Sequence, residues 1–242
     1  MMSINRKYII SIISLSQTII LFASINLLFS SSLHGANAFQ IQNQTLTEEI
    51  EDKFRIGLSL AMLDHVIQTG IRANEFEDVL VVGGDEMISH LCHMAQCSWL
   101  PQPEGTNGLN ETVDLIFNST VLEGFDGLLY LPADLPELGI SDLNGMIRET
   151  NFGKFFTLCP DRHGTGTNAL FIPNSSRFKC QLGENSFVNQ NNQMTQIGEK
   201  LNIYNNSGIG FDIDNLEDFN LLLDSYPNWR KLIEEYYKRY IK

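Results

Sequence analysis

Two rhythms of apolar and polar positions run along this chain, and the switches between them outline its elements. Ile50, Phe54, Leu58, Ala61, Met62 and Val66 recur at three- and four-residue steps, the period of one helix face. Thr45 and Glu48, just ahead of them, form a capping-box pattern and predict the helix start. "DVLVVGG" is a short apolar run closed by glycines, which predicts a buried strand, and "DEMISHLCHMAQ" predicts the helix that follows it. "GLNETVDLIF" supplies another helix, "FDGLLYLPAD" a buried strand terminating at Asp134, and "SDLNGMI" a short capped helix. "FFTLCP", "ALFIP" and "IGFDID" are strand-like. In the tail "YPNWRKLIEEYYKRYIK", Trp229, Leu232, Ile233, Tyr236, Tyr237 and Tyr240 fall near helical spacing and predict a terminal helix packed on the domain. Strands alternating with helices, with no internal repeat, predict an α/β layered domain with a mainly parallel sheet.

The first 38 residues follow a different pattern. Arg6 and Lys7 precede an apolar stretch from Tyr8 to Phe29, and Ala36-Asn37-Ala38 closes it with a small-x-small cleavage pattern, the outline of a signal peptide. Ser11, Ser14, Ser16, Gln17, Thr18, Ser24 and Asn26 interrupt the run, which makes it unusually polar for a membrane span.

Composition narrows the class. The 242 residues are 43% hydrophobic and 19% charged, enough for one well-buried core or at most two small domains. The formal net charge of −13 repels nucleic acid and anionic membrane surfaces. A small anionic substrate then calls for a divalent metal or local cations to screen it. Cys92, Cys97, Cys159 and Cys180 are too sparse for a disulfide framework, so reduced thiols are expected. "SHLCHMAQC" crowds His90, Cys92, His93 and Cys97 together, but no second ligand pair follows at zinc-finger spacing, and Met87, Ile88, Leu91 and Ala95 trace one helical face through it.

Candidate chemistry gathers in the second half. In open α/β sheets ligands collect at the carboxyl ends of the strands. Asp134 in "LPADLP" lies at one such end, and Asp212 and Asp214 in "FDIDNLED" lie at another. Alternate residues of an extended segment face the same way, so Asp212 and Asp214 can reach one ion together, and three carboxylates suit Mg²⁺. The competing expectation is that these aspartates cap helices or turns, Asp214 ahead of "NLEDFNLLL" and Asp134 ahead of Leu-Pro. "PDRHGTGTNALFIP" places Thr165, Thr167 and Asn168 among Gly164 and Gly166, where freed backbone amides can converge on a phosphate or carboxylate, or simply turn the chain into a strand.

"GLNETV", "LYLPADLPEL", "PDRHGTGTNALFI", "LGENSF" and "GFDIDNLEDFNLL", in this order, resemble the 2-phospho-L-lactate guanylyltransferases of deazaflavin coenzyme (coenzyme factor-420) biosynthesis, and the sequence is similar to an archaeal member. The resemblance runs from about Leu46 to Leu223. It implies a nucleotide-diphospho-sugar transferase-like (Rossmann-like) three-layer sandwich with a mainly parallel mixed sheet. It also implies transfer of GMP from GTP to 2-phospho-L-lactate or phosphoenolpyruvate, with Mg²⁺ as cofactor, in a cytoplasmic homodimer. Carried onto this sequence, the metal-holding catalytic aspartates are Asp134, Asp212 and Asp214. The acceptor contacts are Thr167, Gly183 and Ser186, and the nucleotide contacts lie at Asn107, Gly108 and Asn110.

The resemblance breaks down at the N-terminus. Members begin with a central strand and a basic loop, in the pattern I-I-P-x-K-S and then K-x-R-L. Along "IISIISLSQTIILFAS" Ser11 stands for the proline, Ile13 and Ile19 for the lysines, and Leu21 for the arginine. Residues 1–38 are thus either a degenerate first strand and loop or an export leader, ahead of a nucleotidyltransferase-like domain over 39–224 and a C-terminal helix over 225–242. In the first case GTP binding is impaired; in the second the protein is exported or membrane-anchored and shares only the fold.

Overall fold

The computed structural model describes residues 7–13 and 39–240. Seven strands form one mixed sheet in the order β3-β2-β1-β4-β6-β5-β7. They are β1 (Tyr8–Ile13), β2 (Asp78–Val82), β3 (Ser98–Leu100), β4 (Gly127–Pro132), β5 (Thr157–Pro160), β6 (Thr167–Pro173) and β7 (Asn202–Ile203). The helices are α1 (Phe39–Arg72), α2 (Glu86–Ala95), α3 (Leu109–Leu122), α4 (Ile140–Glu149), α5 (Ser186–Ile197), α6 (Ser207–Gly210), α7 (Leu216–Ser225) and α8 (Asn228–Tyr240).

β1 runs parallel to both neighbours: Ile9 pairs with Asp78 on one side and with Leu128 on the other. The apolar run "YIISII" is therefore an interior strand, and it needs apolar residues on both faces because helices cover both. Tyr8, Ile10 and Ile12 join the larger core with Val79, Val81, Leu129 and Leu131, beneath α1, α2, α4 and α8. Ile9 joins the other core with Leu128 and Tyr130, beneath Val113, Ile116 and Phe117 of α3 and Met194 of α5. Two apolar layers around one sheet make a three-layer sandwich. Ser11 is wholly buried, and its Oγ has no hydrogen-bond partner.

Two sequence expectations change. The first described helix runs through Thr45 and Glu48 from Phe39, so the capping-box pattern does not start it. Leu58, Ala61, Met62 and Val66 on its predicted face are buried, with Phe54 partly so. "IGFDID" is not a strand: α6 takes Ser207–Gly210, and Phe211 to Asp214 continues without ladder partners. Asn206 caps this helical turn by accepting from the Ile209 amide at 2.9 Å, and Gly208 packs where a Cβ would collide with the Asp142 carboxylate. The strand in "ALFIP" enters antiparallel, between β4 and β5.

The cleavage pattern at Ala36 to Ala38 and the positions Ile19 and Leu21 lie outside the described residues. No helix among the described residues is long and apolar enough to cross a membrane. Cys92, Cys97, Cys159 and Cys180 are all free thiols. His90 packs edge-on against Tyr240 at 5.8 Å, and the "SHLCHMAQC" residues form no metal cluster.

Candidate active site

Register places the candidate residues at one edge of the sheet. β1, β2 and β4 end there at Ile13, Val82 and Pro132, and Asp134 follows two residues after β4. Because Tyr130 of β4 pairs with Leu170, antiparallel β6 begins at that same edge with Thr167 and Asn168. The Phe211–Asp214 segment arrives beside them, since the Asn168 side-chain amide donates to the Ile209 carbonyl at 3.0 Å.

The three predicted aspartates share one electrostatic field. Burial, reinforced by the charges of Asp212 and Asp214, pushes the Asp134 carboxyl from 3.8 up to about 7. Asp134 Oδ1 is enclosed and has no hydrogen-bond partner. Asp212 is raised to about 6 by burial and by Asp214, against a hydrogen bond from Asn168 that favours its ionised form. Asp214 is raised by burial and by Asp218 and Asp161, with Arg162 and His163 opposing. Tyr130 is also held protonated, by burial first and then by Asp134. Among the described residues, no three carboxylate, imidazole or thiol groups are drawn tightly enough together to form a finished metal cage. The donor chemistry nevertheless fits a hard divalent cation: all-oxygen ligands, mutually repelling, one of them an orphaned buried oxygen.

The competing cap role of Asp214 falls to its neighbour. α7 is capped by Asn215, whose side chain accepts from Glu217 and Asp218 at 2.8 and 3.1 Å. Asp218 completes the box by accepting from the Asn215 amide at 3.2 Å, and it also accepts from the Asp214 amide at 2.9 Å. Buried Asp218 is held in turn by Arg162, whose guanidinium also lies over the Phe211 ring at 5.1 Å. The Asp214 side chain takes no part in this cap.

The glycine-rich loop is occupied by its own acid, which corrects the expectation of an open anion cradle. Asp161 accepts from the Thr165 and Gly166 amides at 2.8 and 2.9 Å and from the Thr165 hydroxyl at 3.2 Å. A Cβ on Gly166 would sit 2.8 Å from Asp161 Oδ2, so glycine is needed there for close approach. The nest therefore rigidifies the loop, and it delivers Thr167 to the start of β6.

Thr167, Gly183 and Ser186 are brought together. The Ser186 and Thr167 hydroxyl oxygens lie 3.0 Å apart, and the Ser186 amide donates to the Gly183 carbonyl at 3.1 Å. Gly183 has a φ of +106° and nothing within 4 Å of its would-be Cβ, so it borders open space. α5 begins at Ser186 without a side-chain cap and with no acidic residue in its first turn, so its dipole favours negative charge there, although the Ser186 and Phe187 amides already donate to the Gly183 and Thr165 carbonyls. Sequence reasoning missed Gln190, wholly buried behind this pair, whose Nε2 donates to Thr167 Oγ1 at 2.9 Å. Its one signal was the four-residue step from Ser186, which puts both on one helix face.

Of the nucleotide candidates, Asn107 and Gly108 precede α3, and the Asn107 amide donates to Glu111 at 2.7 Å. The Asn110 side chain is committed elsewhere, bonded twice to the backbone of Leu182.

The family model described as "Guanylyl transferase CofC like" matches residues 35–228. A phosphoenolpyruvate guanylyltransferase of Sphaerobacter thermophilus is 30% identical over 171 residues, covering 70% of this chain and 81% of the relative. A 2-phospho-L-lactate guanylyltransferase of Methanothermobacter thermautotrophicus is 24% identical over 173 residues, covering 72% and 74%. Among solved structures, a Desulfovibrio desulfuricans protein described as a candidate nucleotide-diphospho-sugar transferase superposes with a TM-score of 0.63 at 12% identity, covering 96% of this chain and 98% of that one. A Leptospira borgpetersenii cytidylyltransferase gives 0.53 at 13% identity, covering 98% and 95%. At these identities the likeness of the structures establishes the nucleotide-diphospho-sugar transferase fold.

Proposed function

Because this chain belongs to the CofC-like guanylyl transferase family, we propose that it transfers GMP from GTP to 2-phospho-L-lactate or phosphoenolpyruvate, in the pathway to the deazaflavin coenzyme. A phosphate oxygen of the acceptor attacks the α-phosphorus of GTP; that P–O bond forms as the bond to the β-phosphate bridging oxygen breaks, and pyrophosphate leaves with the electron pair. Such chemistry depends mostly on positioning and on neutralising charge. Thr167 and Ser186 hydrogen-bond the acceptor phosphate, Gly183 lets the chain approach it closely, and the uncapped start of α5 favours its charge. Asp134, Asp212 and Asp214 would hold Mg²⁺, which when bound supplies the positive charge that lets two phosphorylated anions meet. Asn107 and Gly108 border the nucleotide, and Asn110 fixes the loop before Gly183. Homodimer formation is part of the same reading, and light scattering tests it.

The observation that carries this reading is the orphaned carboxylate oxygen of Asp134, facing the charges of Asp212 and Asp214 at the same sheet edge as the Thr167–Ser186 pair. Pyrophosphate release from GTP with 2-phospho-L-lactate or phosphoenolpyruvate and Mg²⁺ tests it. Absence of release from folded protein, or undiminished release after Asp134→Ala, overturns it.

A second reading is favoured by one observation: Arg162, whose charge acts on Asp214, is tied to Asp218. The family resemblance also expects a proline and a lysine where this chain has Ser11 and Ile13. In that reading the chain binds the acceptor without GTP. Calorimetry separates the two, since GTP binding with Mg²⁺ removes the second.

A further inference from the structure

Gln190 is the one wholly buried side chain that pairs with the acceptor site from behind and is left half satisfied. Its Nε2 donates to Thr167 Oγ1 at 2.9 Å, while its Oε1 is enclosed with no partner. Ser186 Oγ lies 3.0 Å from the same Thr167 oxygen. A threonine hydroxyl offers one hydrogen and two lone pairs, and an amide nitrogen can only donate. Gln190 therefore fills one lone pair of Thr167 and cannot take its hydrogen. Between them the Thr167 and Ser186 hydroxyls carry two hydrogens, and their mutual bond consumes one. The other is left over, with no protein acceptor among the bonds of this cluster.

Resting on the acceptor-pocket reading above, we propose that Gln190 is a positioning residue that holds the Thr167–Ser186 hydroxyl pair in a donating state, so that its spare hydrogen is presented to an oxyanion of the phosphorylated acid. An acceptor behind Thr167 would draw that hydrogen backwards and turn a lone pair towards the anion. Burying the amide with Oε1 unpartnered costs stability, and such a cost is expected where a side chain is selected for its donor rather than its fit. Gln190 does not touch the acceptor; it acts through Thr167.

The test is a double-mutant cycle of Gln190→Met with Thr167→Val, reading phosphoenolpyruvate binding by calorimetry and the melting temperature of each protein. Gln190→Met keeps the length of the side chain and removes both amide atoms. We expect it to weaken phosphoenolpyruvate binding at least about tenfold, the size of one hydrogen bond to a charged group. It should melt at or above the wild-type temperature, because the orphaned oxygen is gone. In the Thr167→Val background, Gln190→Met should have no further effect on binding. A purely structural role for Gln190 would instead lower the melting temperature and leave affinity unchanged. The inference is overturned if Gln190→Met binds phosphoenolpyruvate as wild type does, or loses affinity equally with and without the Thr167 hydroxyl. Should Gln190→Met not fold, Gln190→Leu, which also lacks the donor, closes the same cycle. If the wild-type protein binds neither phosphoenolpyruvate nor 2-phospho-L-lactate, the acceptor-pocket reading fails, and this inference fails with it.

Discussion

Asn110 and Leu182 bind each other twice: the Leu182 amide donates to Asn110 Oδ1 at 2.6 Å, and Asn110 Nδ2 donates to the Leu182 carbonyl at 3.1 Å. One side chain at the start of α3 thus mimics a strand partner for the residue before Gly183. Asn110→Ala removes both bonds and should lower stability by roughly 1–3 kcal/mol. Because Gly183 borders the acceptor site, phosphoenolpyruvate binding should weaken as well. Thermal melts and calorimetry check the two effects.

Asp134→Asn keeps the shape of the side chain and removes a carboxyl that burial disfavours. Metal-free Asp134→Asn should melt higher than wild type at pH 8, yet lose about a hundredfold or more in pyrophosphate release, the usual scale for removing a preorganised charge-stabilising group. Melting without metal and turnover with Mg²⁺ should therefore move in opposite directions.

The pH dependence follows from Asp134, raised from 3.8 to about 7, and Asp212, raised to about 6. Between the unfolded and folded values the folded protein holds protons that the unfolded chain has released. Stability of the metal-free protein must therefore fall as pH rises from about 4 to about 7, and then level off. Mg²⁺ should raise the melting temperature more at pH 8 than at pH 5, because it competes with protons for the same oxygens. Scanning calorimetry across that range, with and without Mg²⁺, checks the sign.

Gly166→Ala places a Cβ 2.8 Å from Asp161 Oδ2 and must push that carboxylate out of its nest. We expect a loss of about 1–3 kcal/mol and weaker acceptor binding through displacement of Thr167. Gly164→Ala makes an instructive comparison. Its Cβ meets nothing within 4 Å, so only the strain of its φ of +71° is felt. The two melting temperatures should separate crowding from backbone strain.

Removal of residues 1–38 deletes β1 and leaves β2 and β4 facing each other with unpaired backbone groups. A chain beginning at Phe39 should aggregate or lack cooperative unfolding, as circular dichroism melts would show. Mass spectrometry of the native N-terminus tests the same point in the cell.

Much of the fold could be read from local pattern. "DVLVVGG" and "FDGLLYLPAD" became β2 and β4 because interior strands of a covered sheet must be apolar on both faces. The proximity of Thr167 and Ser186 was legible through ordered motifs, whereas Asp212 and Asp214 lie in a segment without ladder partners and not at the strand end that the pattern predicts. Other features depended on tertiary partners. Nothing near Asp161 indicates that its carboxylate folds back onto Thr165 and Gly166, because a self-filled nest and an open one share the same glycines. Asn215 and Asp214 are equally good caps by type, and only the reciprocal bond from Asp218 decides between them. Gln190 reads as one more polar residue in an Asn- and Gln-rich helix until Thr167 is seen beside it.

The interior place of β1 also sets the order of assembly. Ile9 has no ladder partner until Asp78 is made, and no second one until Leu128 follows. The side chains of β1 can meet the helix residues Leu63, Val66 and Ile67 before either neighbouring strand is made, whereas its backbone groups are satisfied only by distant pairings, so the centre of the sheet closes late.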